Sequence, residues 1–181
     1  MTAALLSSDR IRIRPLEGED DLKYLFRSFN DPEAFGQFNN FEPRSWDEFQ
    51  SFISDGAKSP AHFTFMLIEK NDDMRVIGSM VHFVPHPLSK GCLEIGYGID
   101  DVSFRKKGYA TEAADLFVDF IFKTKPLERI QAMTNISNKA SQRVLEKVGF
   151  KLEGTLRNAD FLNGGFSDLL LYSMLKQDWE K

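Results

Sequence analysis

The chain has 181 residues, enough for one domain with a sizeable core, and 17 of them are phenylalanine. Asp and Glu outnumber Lys and Arg by 27 to 23, and a formal net charge of −4 argues against wholesale nucleic-acid binding while leaving room for cationic partners. Cys92 is the single cysteine, which rules out an intrachain disulfide and suits a reducing compartment. No apolar run approaches the length of a membrane span, and Met1 to Arg10 lacks the basic and apolar regions of a signal peptide, so the expectation is a cytoplasmic protein.

In chain order, Arg10 to Arg14 alternates basic and apolar residues, which predicts an edge strand with one wet face, closed by Pro15. Glu17 to Phe29 reads as a helix with Leu22, Leu25, Phe26 and Phe29 on one side, broken by Asn30-Asp31-Pro32. Phe35, Phe38 and Phe41 follow without clear periodicity; they either drop from a loop onto the core or wall a substrate pocket. Ser45 and Glu48 have the spacing of a capping box for a second helix that ends near Gly56. Phe63 to Glu69 and Arg75 to Val84 predict two strands joined at Asn71-Asp72-Asp73 as a hairpin. His62, His82 and His86 show no metal-ligand spacing, and no metal is expected.

The stretch from Cys92 to Glu112 carries the chemistry. Leu93, Ile95, Tyr97 and Ile99 alternate with Glu94, Gly96 and Gly98, so the second face of this strand offers one carboxylate and two positions where a thin ligand can approach the backbone. Arg105-Lys106-Lys107-Gly108 then leads into a helix with Ala110, Ala113, Ala114, Phe117 and Ile121 on its apolar stripe. A helix N-terminus behind a basic, glycine-containing loop suits a pyrophosphate, although the same segment also reads as a solvated turn. Neither a P-loop nor a G-x-G-x-x-G fingerprint occurs. Beyond Pro126, Arg129 to Thr134 predicts a strand, Lys139 to Lys147 a helix closed by Gly149, and Phe150 to Glu153 a short strand. Arg157 to Gly165 predicts a polar loop with a Gly-Gly turn, and Asp168 to Leu175 a last strand. Strands alternating with helices, interrupted by one hairpin, predict a single α/β domain over residues 1–181 with a mixed sheet.

Several segments together resemble the GNAT superfamily of acetyl-CoA-dependent N-acetyltransferases. They are Glu94-Ile-Gly-Tyr97, Arg105-x-x-Gly108-x-Ala110 with Thr111-Glu112-Ala113, Asn138-x-x-Ser141, Val148-Gly-Phe150, Glu153-Gly-Thr-Leu-Arg157 and Asp168-Leu-Leu-Leu-Tyr172. With the N-terminal Arg-Ile-Arg-Ile-Arg-Pro15 they span nearly the whole chain, and more narrowly the set is similar to the ribosomal-protein N-terminal (RimJ/RimL-like) type. The resemblance implies the GNAT fold: a central mixed, largely antiparallel sheet of about six or seven strands with helices on both faces. It further implies that the segment Arg105, Lys106, Lys107, Gly108, Tyr109, Ala110 and Thr111 holds the coenzyme A pyrophosphate, mostly through backbone N–H groups. The preceding strand would bend at a bulge and splay from Arg129 to Thr134, with the pantetheine arm in the gap against the backbone of Tyr97 and Ile99 and beside Asn138.

For chemistry, Glu94 is the candidate base, directly or through a water, and its alternative reading is a charge paired with a neighbouring strand residue. Ser141 matches the proposed proton donor of the RimL-like branch, or else serves only the start of its helix. Many family members place a tyrosine where this chain has Leu145, and some N-terminal acetyltransferases place a glutamate where it has Met133, so neither role carries over. Tyr172 is a reserve donor, and Glu112 reads as structural. The implied function is acetyl transfer from acetyl-CoA to a primary amine, foremost a protein or peptide N-terminus. Small-molecule amines (aminoglycoside, polyamine or amino-acid conjugate) and a non-catalytic acyl-CoA-binding module stand as alternatives. Neither a membrane nor a nucleic acid is an expected partner, and the sequence carries no clear oligomerisation signal while leaving room for a homodimer.

Overall fold

Apolar alternation builds a seven-stranded sheet in the computed structural model, which describes residues 6–39, 41–58, 63–85 and 91–180; His62 and His86 lie outside them. The strands are β1 (Ile11–Pro15), β2 (Thr64–Lys70), β3 (Val76–Phe83), β4 (Cys92–Ile99), β5 (Arg129–Asn135), β6 (Lys151–Leu162) and β7 (Gly165–Leu175). They lie in the order β1-β2-β3-β4-β5-β7-β6, and every neighbouring pair is antiparallel except β4 with β5. The sheet is therefore mixed and largely antiparallel, as expected. The helices are α1 (Gly18–Asn30), α2 (Pro32–Phe35), α3 (Trp46–Lys58), α4 (Tyr109–Thr124), α5 (Lys139–Val148) and α6 (Lys176–Trp179).

Side-chain alternation divides the core. Ile13, Met66, Ile68, Leu93, Ile95 and Ile130 pack with Ala113, Ala114, Phe117 and Ile121 of α4 and Leu145 of α5 on one face. Leu67 points the other way and joins Leu25 of α1 and Phe49 of α3. The capping box is formed: the Glu48 backbone N–H donates to Ser45 Oγ at 3.3 Å, and the Ser45 N–H donates to Glu48 Oε2 at 2.8 Å. Gly149 closes α5 at φ 106.

Two expectations are corrected. β1 is an edge strand, but its basic face is not simply wet: Arg12 and Arg14 both pair with the buried Glu69 of β2, and Arg14 also grips Asp21 of α1. The Arg14–Asp21 pair ties this face to α1, while the Arg12 side chain stays 41% exposed. The expected loop from Arg157 to Gly165 is mostly strand. β6 runs on to Leu162, with register shifts after Leu152 and Leu156, and turns through Asn163-Gly164 rather than a Gly-Gly pair. Both turn residues have positive φ, 53 and 80, as a two-residue hairpin of type I′ requires. β6 is an outer strand exposed on both faces, so burial imposes no apolar alternation on it and its polar sequence conceals it.

The contact between β3 and β4 is tight at one point. A Cβ at Gly78 would stand 2.2 Å from the Gly98 carbonyl oxygen and 3.1 Å from the Ile99 Cα, backbone that no rotamer change can move aside. Gly78→Ala is therefore expected to cost about 1–3 kcal/mol in denaturant unfolding. Gly154→Ala, where nothing lies within 4 Å, should stay within about 0.5 kcal/mol of the parent.

Candidate active site

β4 pairs with β5 only from Cys92–Arg129 to Glu94–Gln131. Beyond that rung β5 stays with β7 and β4 stays with β3, so the two strands part. The β3–β4 register runs without interruption from Glu94 to Ile99, so the splay arises without the expected bulge in that ladder. The Asp100 N–H donates to the Ile77 carbonyl at 2.9 Å, which fixes the alternation along β4. Even-numbered residues turn their backbone groups toward β3, and odd-numbered residues, Tyr97 and Ile99 among them, turn theirs toward the gap.

The gap leads to the start of α4. Gly108 is its N-cap at φ 87, in the left-handed region, and no side chain among the described residues caps the helix there. The first-turn N–H groups of Tyr109, Ala110 and Thr111 therefore point outward at the positive end of a 16-residue helix. Lys106 is also left-handed, at φ 62, although it carries a side chain, and such strain clusters at functional turns. Lys106 and Lys107 are exposed. The sequence reading sets three cations around an anion here, but the Arg105 guanidinium is committed elsewhere. It donates to the carbonyls of Ile99 at 2.8 Å, Glu33 at 2.9 Å and Ala34 at 2.8 Å, tying α2 to the end of β4. Arg10 braces the other side of the loop, donating to the Lys107 carbonyl at 3.2 Å, lying 4.8 Å over the Tyr109 ring and pairing with Glu112. Glu112 is thereby structural, as expected.

Glu94 sits where the strands part and is 6% exposed. Its Oε2 accepts from Gln131 Nε2 at 2.9 Å. Burial pushes the carboxyl above its ordinary range, and the Gln131 amide pulls it back. Gln131 is held in turn: its Oε1 accepts from Arg129 Nε and Nη2, both at 3.2 Å, which turns its NH₂ group toward Glu94. Arg129 is clamped by Glu153 at 2.6 Å through both nitrogens, and Glu153 is held down to about 2 by Arg129 and by the Ser173 hydroxyl.

Ser141 and Asn138 meet at the start of α5, where Asn138 Oδ1 accepts from the Ser141 N–H at 3.1 Å. The Ser141 hydroxyl stands 3.2 Å from that of Tyr97, whose pKa burial pushes up to about 12. Tyr97 thus reaches from β4 to α5 on the core side of the gap. Tyr172 is buried on β7 beside the same helix and donates to Glu146 at 3.3 Å. Leu145 is fully buried in the core, and Met133 is 40% exposed on the open face of β5.

Two cavities flank the loop after α2. One of about 560 Å³ lies between Gln37 and Phe38 on one side and the β6–β7 turn, Leu162 to Ser167, on the other. The second, of about 190 Å³, follows the glycine face of β4 and is walled by Phe29, Phe35 and Phe65, with Asp100 at its end. Phe35 and Phe38 are therefore pocket walls. Sequence reasoning missed Asp100, although it continues the Glu94-Gly96-Gly98 alternation by one step. It missed Gln131 because its role depends on the β4–β5 register. Among the described residues no three of His, Cys, Asp and Glu group as metal ligands, and no helix is long and apolar enough to cross a membrane.

Residues 10–151 match the family model described as Acetyltransferase (GNAT) domain. The probable N-acetyltransferase YjcK of Bacillus subtilis (strain 168) is 30% identical over 190 residues, covering 98% of this chain and 100% of that protein. The ribosomal-protein-serine acetyltransferase of Escherichia coli (strain K12) is 31% identical over 109 residues, 60% of this chain and 59% of that protein. Among solved structures, spermidine N-acetyltransferase from Vibrio cholerae in complex with CoA and spermine superposes with a TM-score of 0.83 at 19% identity, covering 96% and 100% of the two chains. The RimL ribosomal L7/L12 α-N-protein acetyltransferase in complex with coenzyme A gives a TM-score of 0.79 at 20% identity, covering 93% and 95%. At these identities the two structures speak to the fold.

Arg105 clips three carbonyls with one planar fork, which a lysine ammonium cannot reproduce. Arg105→Lys is expected to raise amide exchange of Phe35 and Gly36 about tenfold or more while leaving α4 protected. Unchanged exchange there would show that α2 is held by other contacts.

Proposed function

The chain belongs to the GNAT acetyltransferase family, and we propose that it moves the acetyl group of acetyl-CoA to a primary amine, foremost the α-amine of a protein or peptide N-terminus. One observation carries this reading. β4 leaves β5 at the Glu94–Gln131 rung, and its odd-numbered backbone groups face a gap that ends at an uncapped helix start. Those features fit a long thiol cofactor. The N–H groups of Tyr109, Ala110 and Thr111, with Lys106 and Lys107 beside them, would hold its pyrophosphate. Tyr97 and Ile99 would pair with the amides of its arm, Ile99 through its N–H because its carbonyl is held by Arg105. When bound, acetyl-CoA supplies an activated acyl group and a thiolate leaving group.

The residues of this chain supply the proton chemistry. Free α-amines have a pKa near about 8 and lysine amines near about 10.4, so at neutral pH both arrive mostly protonated. Glu94, ionised, takes a proton from the amine directly or through a water. An odd-numbered backbone N–H of β4 donates to the acyl oxygen as charge builds on it. The Ser141 hydroxyl, 3.2 Å from that of Tyr97, would protonate the departing sulfur.

The acceptor reading rests on the larger cavity, about 560 Å³ between two loops, which suits a chain end better than a small enclosed ligand. A ribosomal-protein acetyltransferase stands among the relatives. The structural neighbour with spermine, together with the small aromatic cavity, favours a second reading as a small-amine acetyltransferase. Thiol-release turnover across peptides and small amines decides between them. Activity confined to peptides beginning with Ser, Ala or Thr supports the first, and activity confined to small amines moves the acceptor to the second.

Glu94→Gln is expected to lower kcat by about 10²–10⁴-fold with acetyl-CoA affinity unchanged. Full turnover in that variant would remove Glu94 from the mechanism. The Gln131 hydrogen bond favours the charged form of Glu94, so Gln131→Leu lifts its pKa further. The base works only when ionised, so kcat/KM rises with pH through that pKa. The acidic limb of the profile should shift to higher pH in Gln131→Leu, measured with the same amine, while the rate at the plateau changes less.

A further inference from the structure

The smaller cavity has a composition that the proposed reaction does not use. Its walls are the Phe29, Phe35 and Phe65 rings, its floor is the backbone of Gly96 and Gly98, and the Asp100 carboxylate lies over Gly98. Asp100 Oδ2 accepts from the Tyr24 hydroxyl of α1 at 3.2 Å, and the hydroxyls of Ser28 and Ser79 lie close enough to favour the charged carboxylate. These donors are neutral. Arg105 acts on Asp100 through space, its guanidinium being bonded to the carbonyls of Ile99, Glu33 and Ala34. Burial pushes the Asp100 carboxyl up to about 7 against the pull of these donors and of Arg105.

A carboxylate at the end of an aromatic cavity selects by charge. An anion is repelled, and a neutral apolar group leaves the carboxylate facing hydrocarbon. An ammonium gains both the carboxylate and the negative ring faces. The room suffices: about 190 Å³ exceeds the roughly 150 Å³ that holds a benzene, enough for a short alkylammonium arm. The Asp100 carboxylate lies over Gly98, its Oδ1 3.3 Å from where a Cβ there would stand, and Gly98 is four residues from Glu94 on the same face, roughly 13 Å along the strand at about 3.3 Å per residue. An ammonium held at Asp100 is therefore not the amine that reacts beside Glu94.

We propose that the cavity ending at Asp100 is a binding site for an alkylammonium group, and that the acceptor carries this second positive charge at a distance from its reacting amine. The assignment of the charge to the acceptor rests on the acetyltransferase reading; the cation site itself does not. Two sources share the chemistry: a lysine-type side chain near a peptide N-terminus, or the far end of a linear polyamine.

Titration calorimetry on the full chain without acetyl-CoA tests the site. The probes are spermine and two peptides, Ser-Gly-Lys-Gly and the same sequence with norleucine for lysine. Spermine or the lysine peptide is expected to bind, and Asp100→Asn to weaken that binding at least tenfold. Phe35→Leu, which keeps the carboxylate, should weaken it about threefold or more. Glu19→Gln, an exposed acid on α1, should leave it unchanged, which separates the site from general attraction to an acidic surface. Preference for spermine identifies a polyamine acceptor, and preference for the lysine peptide over its norleucine twin identifies a protein. Equal binding by the parent and Asp100→Asn, or no binding of either cation, overturns the proposal. If cations bind through Asp100 but no amine is acetylated, the site stands and the acetyltransferase reading fails; if amines are acetylated equally by the parent and Asp100→Asn, the acetyltransferase reading stands and the assignment of the bound charge to the acceptor is overturned.

Discussion

The structure depends on a sheet that stops pairing in its middle. Two central strands share three rungs and then separate, leaving the gap-side backbone groups of β4 inside the fold without a strand partner. Such groups cost about 1–3 kcal/mol each when buried without a hydrogen bond, and an open strand edge invites whatever can complete it. A protein can hold that arrangement only where water or a ligand supplies the missing partner and the surrounding structure prevents collapse. Here the braces are visible: the Ile99 carbonyl is taken by Arg105, and the Tyr97 hydroxyl crosses to Ser141 on α5. The gap is thereby maintained by the groups that line it.

The parity of β4 then separates stability from chemistry. Leu93, Ile95 and Ile99 are buried against α4 and α5 and fix the strand by packing. Glu94, Gly96, Gly98 and Asp100 occupy the opposite face, where the absent side chains let the Val81 side chain and the Asp100 carboxylate close over the glycines. Since a one-residue slip would exchange the faces, the unbroken β3–β4 register is what keeps both acids on the glycine face. The same logic explains Gln131. Its amide would be ambiguous in orientation were Arg129 not donating to its oxygen, and Arg129 is immobilised by Glu153 and, through it, by Ser173. A line of polar contacts from the outer strands thus ends on the buried carboxylate of Glu94.

Much of this was legible in the sequence because it follows from local rules. The capping box at Ser45, the α4 stripe of Ala113, Ala114 and Phe117, the Gly149 stop and the glycine face of β4 each depend on residues close in the chain. What was hidden depends on register or on surface exposure. β6 carries no apolar alternation because neither face is buried, and Asn163-Gly164 was the turn signal that should have extended it. Arg105 looked like a phosphate-binding cation because its partners are the carbonyls of Glu33 and Ala34, about seventy residues away, and carbonyls leave no trace in side-chain sequence. Asp100 escaped notice because it stands one residue past the end of the strand, although the alternation continues through it.

The two pockets differ in how they are built, and that difference bears on how such a fold changes its acceptor. The larger is bounded by Gln37 and Phe38 and by the tip of the β6–β7 hairpin, where Phe166 is 70% exposed and stacks edge-on with Phe161. These segments contribute little to either core, so their side chains can be replaced at small cost in stability. The smaller pocket is bounded by β3, β4 and the aromatic cluster in which Phe29 touches Phe35, Phe49 and Phe65. Changing it disturbs packing that holds α1 and α3 to the sheet. A recognition element placed there is therefore tied to the fold itself, whereas the outer trough is free to vary around it.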